Sequence, residues 1–229
     1  MRPEKQQAIK LRKNGRSYSQ IGKYLNVPKS TLSYWFSNLK ISQDAQDLIN
    51  IRSHKKSTAA LIKRNKQQTF LAKERAAVIR EESKKEVVNL IKDPLFVSGI
   101  SLYWAEGYKK GAYGSKWKSV DFANSDPEMI SIMMKFFIKI CGISINKIRA
   151  QVIAHENVNI DLAVKYWSKL TKISPERFIK TSLPKKIISK NKRKNSNLTH
   201  GTLHIRINDV RFFFKIIGWI DGLKKILGP

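Results

Sequence analysis

Apolar positions along the chain recur at two periods, and the change between them divides it. Residues 3–13 read as a short helix that Asn14-Gly15 stops. Ile21, Leu25, Val27, Leu32 and Phe36 then have the spacing of two short helices around one small core. Asn26 and Val27 form the turn, and Pro28 or Lys29 opens the second helix. Residues 42–92 lack Gly and Pro, which favours one long helix or two in succession, roughly 60–75 Å if continuous. Ala72, Ala76, Ile79, Val87 and Leu90 give that stretch a weak heptad-like stripe, either a dimer seam or a face lying on the next domain.

From Asp93 the texture becomes mixed. Asp93-Pro94 is an N-cap and first helical position, and Gly107 is the residue type that best closes a helix. Ser98, Gly99, Ser101 and Ala105 among larger apolar residues predict close packing against a second helix. Tyr108–Lys116 reads as a Gly-rich, basic hairpin, and Trp117–Ala123 alternates with Val120 and Phe122 on one face. Ser125 or Asp126 caps a helix whose apolar face runs from Met129 to Ile140. A strand follows over 147–155, with Ile148, Ala150, Val152 and Ala154 inward, then an amphipathic helix over 161–170. After a connection over 171–200, a strand over 202–208 turns Leu203, Ile205 and Ile207 inward, and a helix over 209–227 closes the chain. The fold class is α+β: an all-α domain over 1–41, a basic helical linker over 42–92, and a mixed domain over 93–229 with the order αββαββα and one extra helix between the last two strands.

Charge changes the picture most. Lys and Arg number 45 against 17 acids, a net charge of +28 in 229 residues. Before Asp93 there are 21 basic and 7 acidic residues; from it onward there are 24 and 10, so each part carries +14. Both parts are thus expected to face a polyanion, with nucleic acid the first candidate and an anionic membrane surface the second. Lys and Arg of the 42–92 stretch would include phosphate contacts, or form a solvated face. No apolar run reaches the ~18 residues of a membrane span. Lone Cys141 excludes an internal disulfide and a cysteine-based zinc site, and its neighbours Phe137, Ile140 and Ile143 suggest core. Met-Arg-Pro-Glu-Lys at the start leads into polar residues, so the expected location is cytoplasmic, at the nucleoid. The sequence holds no Walker loop or dinucleotide fingerprint, and a small-molecule substrate is not expected.

The run Ser17-Tyr-Ser-Gln-Ile-Gly-Lys-Tyr-Leu-Asn-Val-Pro-Lys-Ser-Thr-Leu-Ser-Tyr-Trp-Phe36 resembles a helix-turn-helix of the resolvase or transposase type over about residues 5–40. That resemblance sends the second helix into the major groove, with Lys29, Ser30, Thr31, Ser33 and Tyr34 as its DNA contacts. In the second half, the element order, the helix "GISLYWAEG" and the following "VDFANSDPEMI" resemble the LAGLIDADG homing-endonuclease fold over about 94–227. Leu102, Ala105, Glu106 and Gly107 match the nine-letter motif, whereas Gly99, Tyr103 and Trp104 depart from it. The resemblance implies that Glu106 is a metal ligand for Mg²⁺ in an active enzyme. It also implies a homodimer on a near-palindromic site, because one motif precedes one full αββαββα.

Lys109, Lys110 and Arg206 are then candidates, with Glu106, for stabilising a phosphate transition state. Arg149, Gln151, His155, Thr202, His204, Arg206 and Asn208 alternate on the outer face of their strands and suit groove reading. Lys185, Lys186, Lys192, Arg193 and Lys194 form a basic tract suited to phosphates. A second stretch, Ile216–Gly222, joins an acid to glycine on an apolar helix and reads as core packing. Two functions follow: a site-specific, metal-dependent DNA endonuclease, or a helix-turn-helix regulator that keeps a LAGLIDADG-derived frame without cleaving.

Overall fold

A computed structural model describes residues 3–154, 158–180 and 199–228. It divides into two compact units, Met1–Ala72 and Lys73–Pro229, and the boundary falls within one helix, α4 (Gln43–Leu90).

The first unit opens with α1 (Glu4–Lys13), α2 (Tyr18–Leu25) and α3 (Lys29–Trp35). Ala8, Ile21 and Leu32, one from each helix, are buried between them with Phe36, the residue that ends α3, so this small core needs all three. Leu25 and Val27 pack against it, as their spacing predicts. Gly15 (φ +72°) turns the chain after α1, and its carbonyl accepts from Arg52 Nη1 at 2.7 Å. A Cβ on Gly15 would come within 3.1 Å of the Ala45 carbonyl and of Leu48, which holds the start of α4 against that turn.

In the second unit the end of α4 lies along α8 (Val210–Leu227). Gly218 and Gly222 let the backbones approach: a Cβ would meet Arg80 O at 2.4 Å or Lys84 O at 2.6 Å. Arg80 pairs with Asp221, and Glu86 accepts from Trp219 Nε1 at 2.8 Å and from Lys215 Nζ at 3.2 Å. Ile216–Gly222 is core packing, as its sequence predicts. Ala76, Ile79, Val87 and Leu90 of the heptad-like stripe likewise pack on this core, while Ala72 is exposed.

Helix α5 (Pro94–Glu106) is capped by Asp93, whose carboxylate accepts from Leu95 N at 2.7 Å. It buries Phe96, Gly99, Ile100 and Tyr103. Gly99 has no room for a side chain, since a Cβ would lie 2.3 Å from the Phe136 ring. Its partner is α6 (Pro127–Lys135), capped by Asp126 and continued by a π turn over Phe136–Ile140. Gly107 ends α5 with an extended backbone (φ −72°), not a left-handed one. Glycine is required there because a Cβ would strike Tyr103.

The sheet is antiparallel, ordered β1-β3-β2 from Val120–Asn124, Thr202–Ile207 and Arg149–Ile153, with α7 (Ile160–Thr171) between β2 and β3. Phe122, Ile205 and Ala150 face the core in one row, and Leu203 pairs with Val152 in the next. The hairpin expected over Tyr108–Lys116 is absent. Lys110–Tyr113 is a 3₁₀ turn, because Gly111 packs against Trp117 O and the Phe213 ring and pulls the loop inward. What remains of the first strand of the expected αββαββα is one bridge, Gly107 to Phe122, and a parallel bridge joins Ala150 to Phe178. No helix of the described residues is long and apolar enough to cross a membrane.

Candidate nucleic-acid interface

The outer face of the sheet carries three rows of side chains, and strand register fixes their neighbours. Asp121 lies opposite Arg206, which lies opposite Arg149; Ala123, His204 and Gln151 form the next row; Thr202 faces Ile153. At the centre is Asp121, whose side chain is only 8% exposed. One carboxylate oxygen lies 3.0 Å from His204 Nδ1, and the other accepts from Arg206 Nε at 2.8 Å. An ionised carboxylate only accepts, so the first contact places the imidazole hydrogen on Nδ1 and leaves Nε2 for another partner. The Arg206 guanidinium also lies over the Trp117 ring, 5.8 Å from its centroid. Charge, hydrogen bond and ring together hold both long side chains in one orientation.

Other expected members of this face fare differently. Arg149 is exposed and Thr202 half-buried. Gln151 is not an exposed reader: it is buried, and its amide donates to Lys180 O at 3.1 Å because the chain after Phe178 runs beside β2. Asn208 is exposed, with Oδ1 accepting from the Ser119 hydroxyl at 2.8 Å. His155 and the tract Lys185, Lys186, Lys192, Arg193 and Lys194 lie outside the described residues.

The end of α5 meets the edge of this sheet, where Tyr108 N donates to Asp121 O at 2.8 Å. Buried Tyr103 donates its hydroxyl to Tyr108 O at 3.0 Å, and burial, reinforced by the charge of Asp121, pushes its ionisation far up. Glu106 is exposed. Lys109 turns its ammonium back onto the helix end, 2.7 Å from Gly107 O and 3.4 Å from Ala105 O, a favourable place for a cation at the negative end of α5. Burial lowers the Lys109 pKa, opposed by the negative charge of Glu106 and aided by Lys224. Lys110 is exposed at the start of the 3₁₀ turn. Glu106 and Lys109 are therefore neighbours, whereas Arg206 is committed to Asp121. Among the described residues no group of three or more His, Cys, Asp or Glu could hold a metal ion. The two carbonyls flanking Glu106 already receive an ammonium. Mg²⁺ is commonly held by one or two carboxylates, with waters and substrate phosphates completing its octahedron, and Glu106 is the one exposed carboxylate that the end of α5 offers.

In the first unit, Ser17 and Gln20 form a capping box at the start of α2: Gln20 N donates to Ser17 Oγ at 3.3 Å, and Ser17 N to Gln20 Oε1 at 3.0 Å. Asn26 takes the left-handed conformation (φ 53°) that turns the chain, and Gly22 allows Val27 O to approach where a Cβ would be 2.8 Å away. Pro28 then leads into α3. Leu32 and Phe36 root this helix in the core, and Lys29, Ser30, Ser33 and Tyr34 are exposed, Tyr34 at 79%; Thr31 is half-buried.

Residues 2–45 match the homeodomain-like domain family, a helix-turn-helix. No curated protein and no solved structure matches the chain. A helix-turn-helix is a DNA-binding motif, and α3 is the second helix of the pair that Asn26 joins.

Asp121 is the residue that reading the sequence overlooked. It alternates with Val120 and Phe122, so period two alone places it outward, opposite the strand that carries His204 and Arg206. An acid on an outward strand position, in a chain with 17 acids against 45 bases, was the available signal.

Proposed function

We propose that the chain is a sequence-specific double-stranded-DNA-binding protein, acting as a homodimer and regulating transcription without cleaving its site, on a frame resembling the LAGLIDADG endonucleases. The helix-turn-helix with its exposed α3 carries the DNA-binding part of this reading. Support for the frame comes from element order: counting the Gly107–Phe122 bridge as a strand, the second unit runs helix, two strands, helix, two strands with a helix between them, helix. For a second copy, α5 offers the face left uncovered by its own chain, where Ser98, Ser101 and Ala105 are small and exposed.

Lys109 supports the non-cleaving reading. Its ammonium fills the space beside the Gly107 and Ala105 carbonyls and repels a divalent cation at Glu106. The opposite reading, a Mg²⁺-dependent endonuclease, draws on Glu106 standing exposed at a helix end, where a carboxylate costs roughly 0.3–1 kcal/mol against the dipole. Selecting the bound duplex and then incubating it with Mg²⁺ and either wild-type or Glu106→Gln protein separates the two. Intact strands with both proteins are expected, together with tight, salt-sensitive binding. Cleavage by the wild type alone would establish the endonuclease and return Glu106 to a metal.

A further inference from the structure

Every side chain from 50 to 75, the middle of α4, is exposed. A helix lying wholly in water normally carries acids and bases in alternation, since pairs at i,i+4 support it. This one does not. Between Leu48 and Lys73 there is no acid, and the basic residues are Arg52, Lys55, Lys56, Lys63, Arg64, Lys66 and Lys73. At about 100° per residue, all but Arg64 fall within an arc of about 100°. Arg52 marks that side of the helix as the one that meets the α1–α2 turn, through Gly15 O. Within the first unit, Lys55, Lys56, Lys63 and Lys66 continue the same side with no acidic partner among the described residues.

Such a stripe works against the helix. Arg52 with Lys55 and Lys56, and Lys63 with Lys66, are like charges at i,i+3 or i,i+4, each costing about 0.2–0.5 kcal/mol. A charge placed only for solubility would be spread around the helix and mixed in sign. A seam between two copies would set lysine against lysine. A polyanion relieves the repulsion on that one side.

We infer that Lys55, Lys56, Lys63 and Lys66 of α4 form a second, sequence-independent contact with the phosphate backbone of duplex DNA, alongside the helix-turn-helix. The inference rests on the DNA-binding reading above and adds to it a surface that holds the duplex without reading it. From Lys55 to Lys66 the stripe runs about 16 Å. A B-form duplex carries one phosphate charge per roughly 1.7 Å of axis, so each lysine has a phosphate to meet.

The test compares full-length wild-type protein with Lys55→Gln/Lys56→Gln/Lys63→Gln/Lys66→Gln, and with each adjacent pair alone, on the selected site and on a duplex of unrelated sequence across a NaCl series. Glutamine keeps helix propensity, and circular dichroism confirms it. Each lost phosphate contact lowers the slope of log K against log salt by about 0.9. The quadruple variant should therefore lose about 3–4 from the slope on both duplexes and each pair about 2, while Arg64→Gln leaves it unchanged. Equal slopes for wild type and the variants, with binding retained, would overturn the inference and leave the helix-turn-helix reading standing. A wild type that binds neither duplex would sink both. Dimerisation lost in the quadruple variant, with an unchanged slope, would make the stripe a seam instead.

Discussion

Asp121→Asn separates two accounts of the sheet face because it moves charge and geometry in opposite directions. The carboxylate makes one bond of 2.8 Å to the Arg206 guanidinium and one of 3.0 Å to His204. Hydrogen bonds to charged groups contribute about 1.5–3 kcal/mol each, and breaking a buried ion pair costs about 3–5. Arg206 and His204 are 24% and 21% exposed, so water recovers part of that loss. Asparagine keeps one acceptor and aims its amide hydrogens at the other donor. A destabilisation of about 2–3 kcal/mol follows, within the 5–15 kcal/mol of an ordinary domain, so the variant folds. The variant also removes one negative charge from the face, leaving it more positive by one. If the sheet meets DNA through net charge alone, affinity for every duplex should rise. If Arg206 and His204 must be held in place to meet base edges, affinity for the selected site falls by about 1–3 kcal/mol, roughly 5- to 150-fold, and affinity for unrelated duplex does not fall. Fluorescence anisotropy on both duplexes, with urea unfolding alongside, measures all three quantities. Equal or improved binding to the selected site would refute the orienting role of Asp121.

Gly218→Ala should lower the stability of the second unit by about 1–3 kcal/mol or more, read as a fall in Tm, because the new methyl lands on the Arg80 carbonyl, which cannot move without bending α4. Ser17→Ala removes the capping box of α2 and should cost about 1 kcal/mol in thermal unfolding of the first unit. Tyr34→Ala, 79% exposed, should leave stability within about 0.5 kcal/mol yet weaken binding to the selected site; unchanged binding would remove Tyr34 from the recognition surface. Burial pushes the Cys141 thiol up, so the native state holds a proton that the unfolded chain has lost. Its contribution to stability is therefore full below the ordinary thiol range and declines as pH rises above it, and a thiol reagent at pH 8.5 should label Cys141 far more slowly in the native protein than in urea.

Where a local rule had a single physical solution, the sequence was read correctly. Asp93-Pro94 and Asp126-Pro127 cap helices because an acid followed by proline satisfies the first orphan amides and fits the helical φ. Asn26 turns the chain because asparagine tolerates the left-handed region. Strands β2 and β3 were legible because only one face is apolar. Failures came where a long-range contact outvoted the local pattern. Gly-rich Tyr108–Lys116 has the composition of a hairpin, but Phe213, about a hundred residues later, offers Gly111 a surface to pack on, and the loop folds to it. Gln151 alternates outward correctly, yet the return of the chain at Lys180 covers it. No periodicity within β2 announces that cover.

The same distinction governs Glu106. A motif read along the sequence records which residue types stand at which spacing, and it places a carboxylate at the end of α5. It does not record what the next turn of chain does with the carbonyls beside that carboxylate. Lys109, three residues on, folds back onto them, and the negative end of α5 that could attract a divalent ion holds a cation of the protein's own. Lys109→Ala is then the variant in which the two functions should be hardest to tell apart by sequence and easiest by chemistry. It leaves every motif residue in place and frees both carbonyls. Under the non-cleaving reading it binds its selected site about as well as wild type, with a salt-dependence slope unchanged, because this ammonium is spent on the helix and not on DNA. A slope lower by about 0.9 would place Lys109 on a phosphate instead, and strand cleavage gained on adding Mg²⁺ would show that the ammonium alone had kept the metal out.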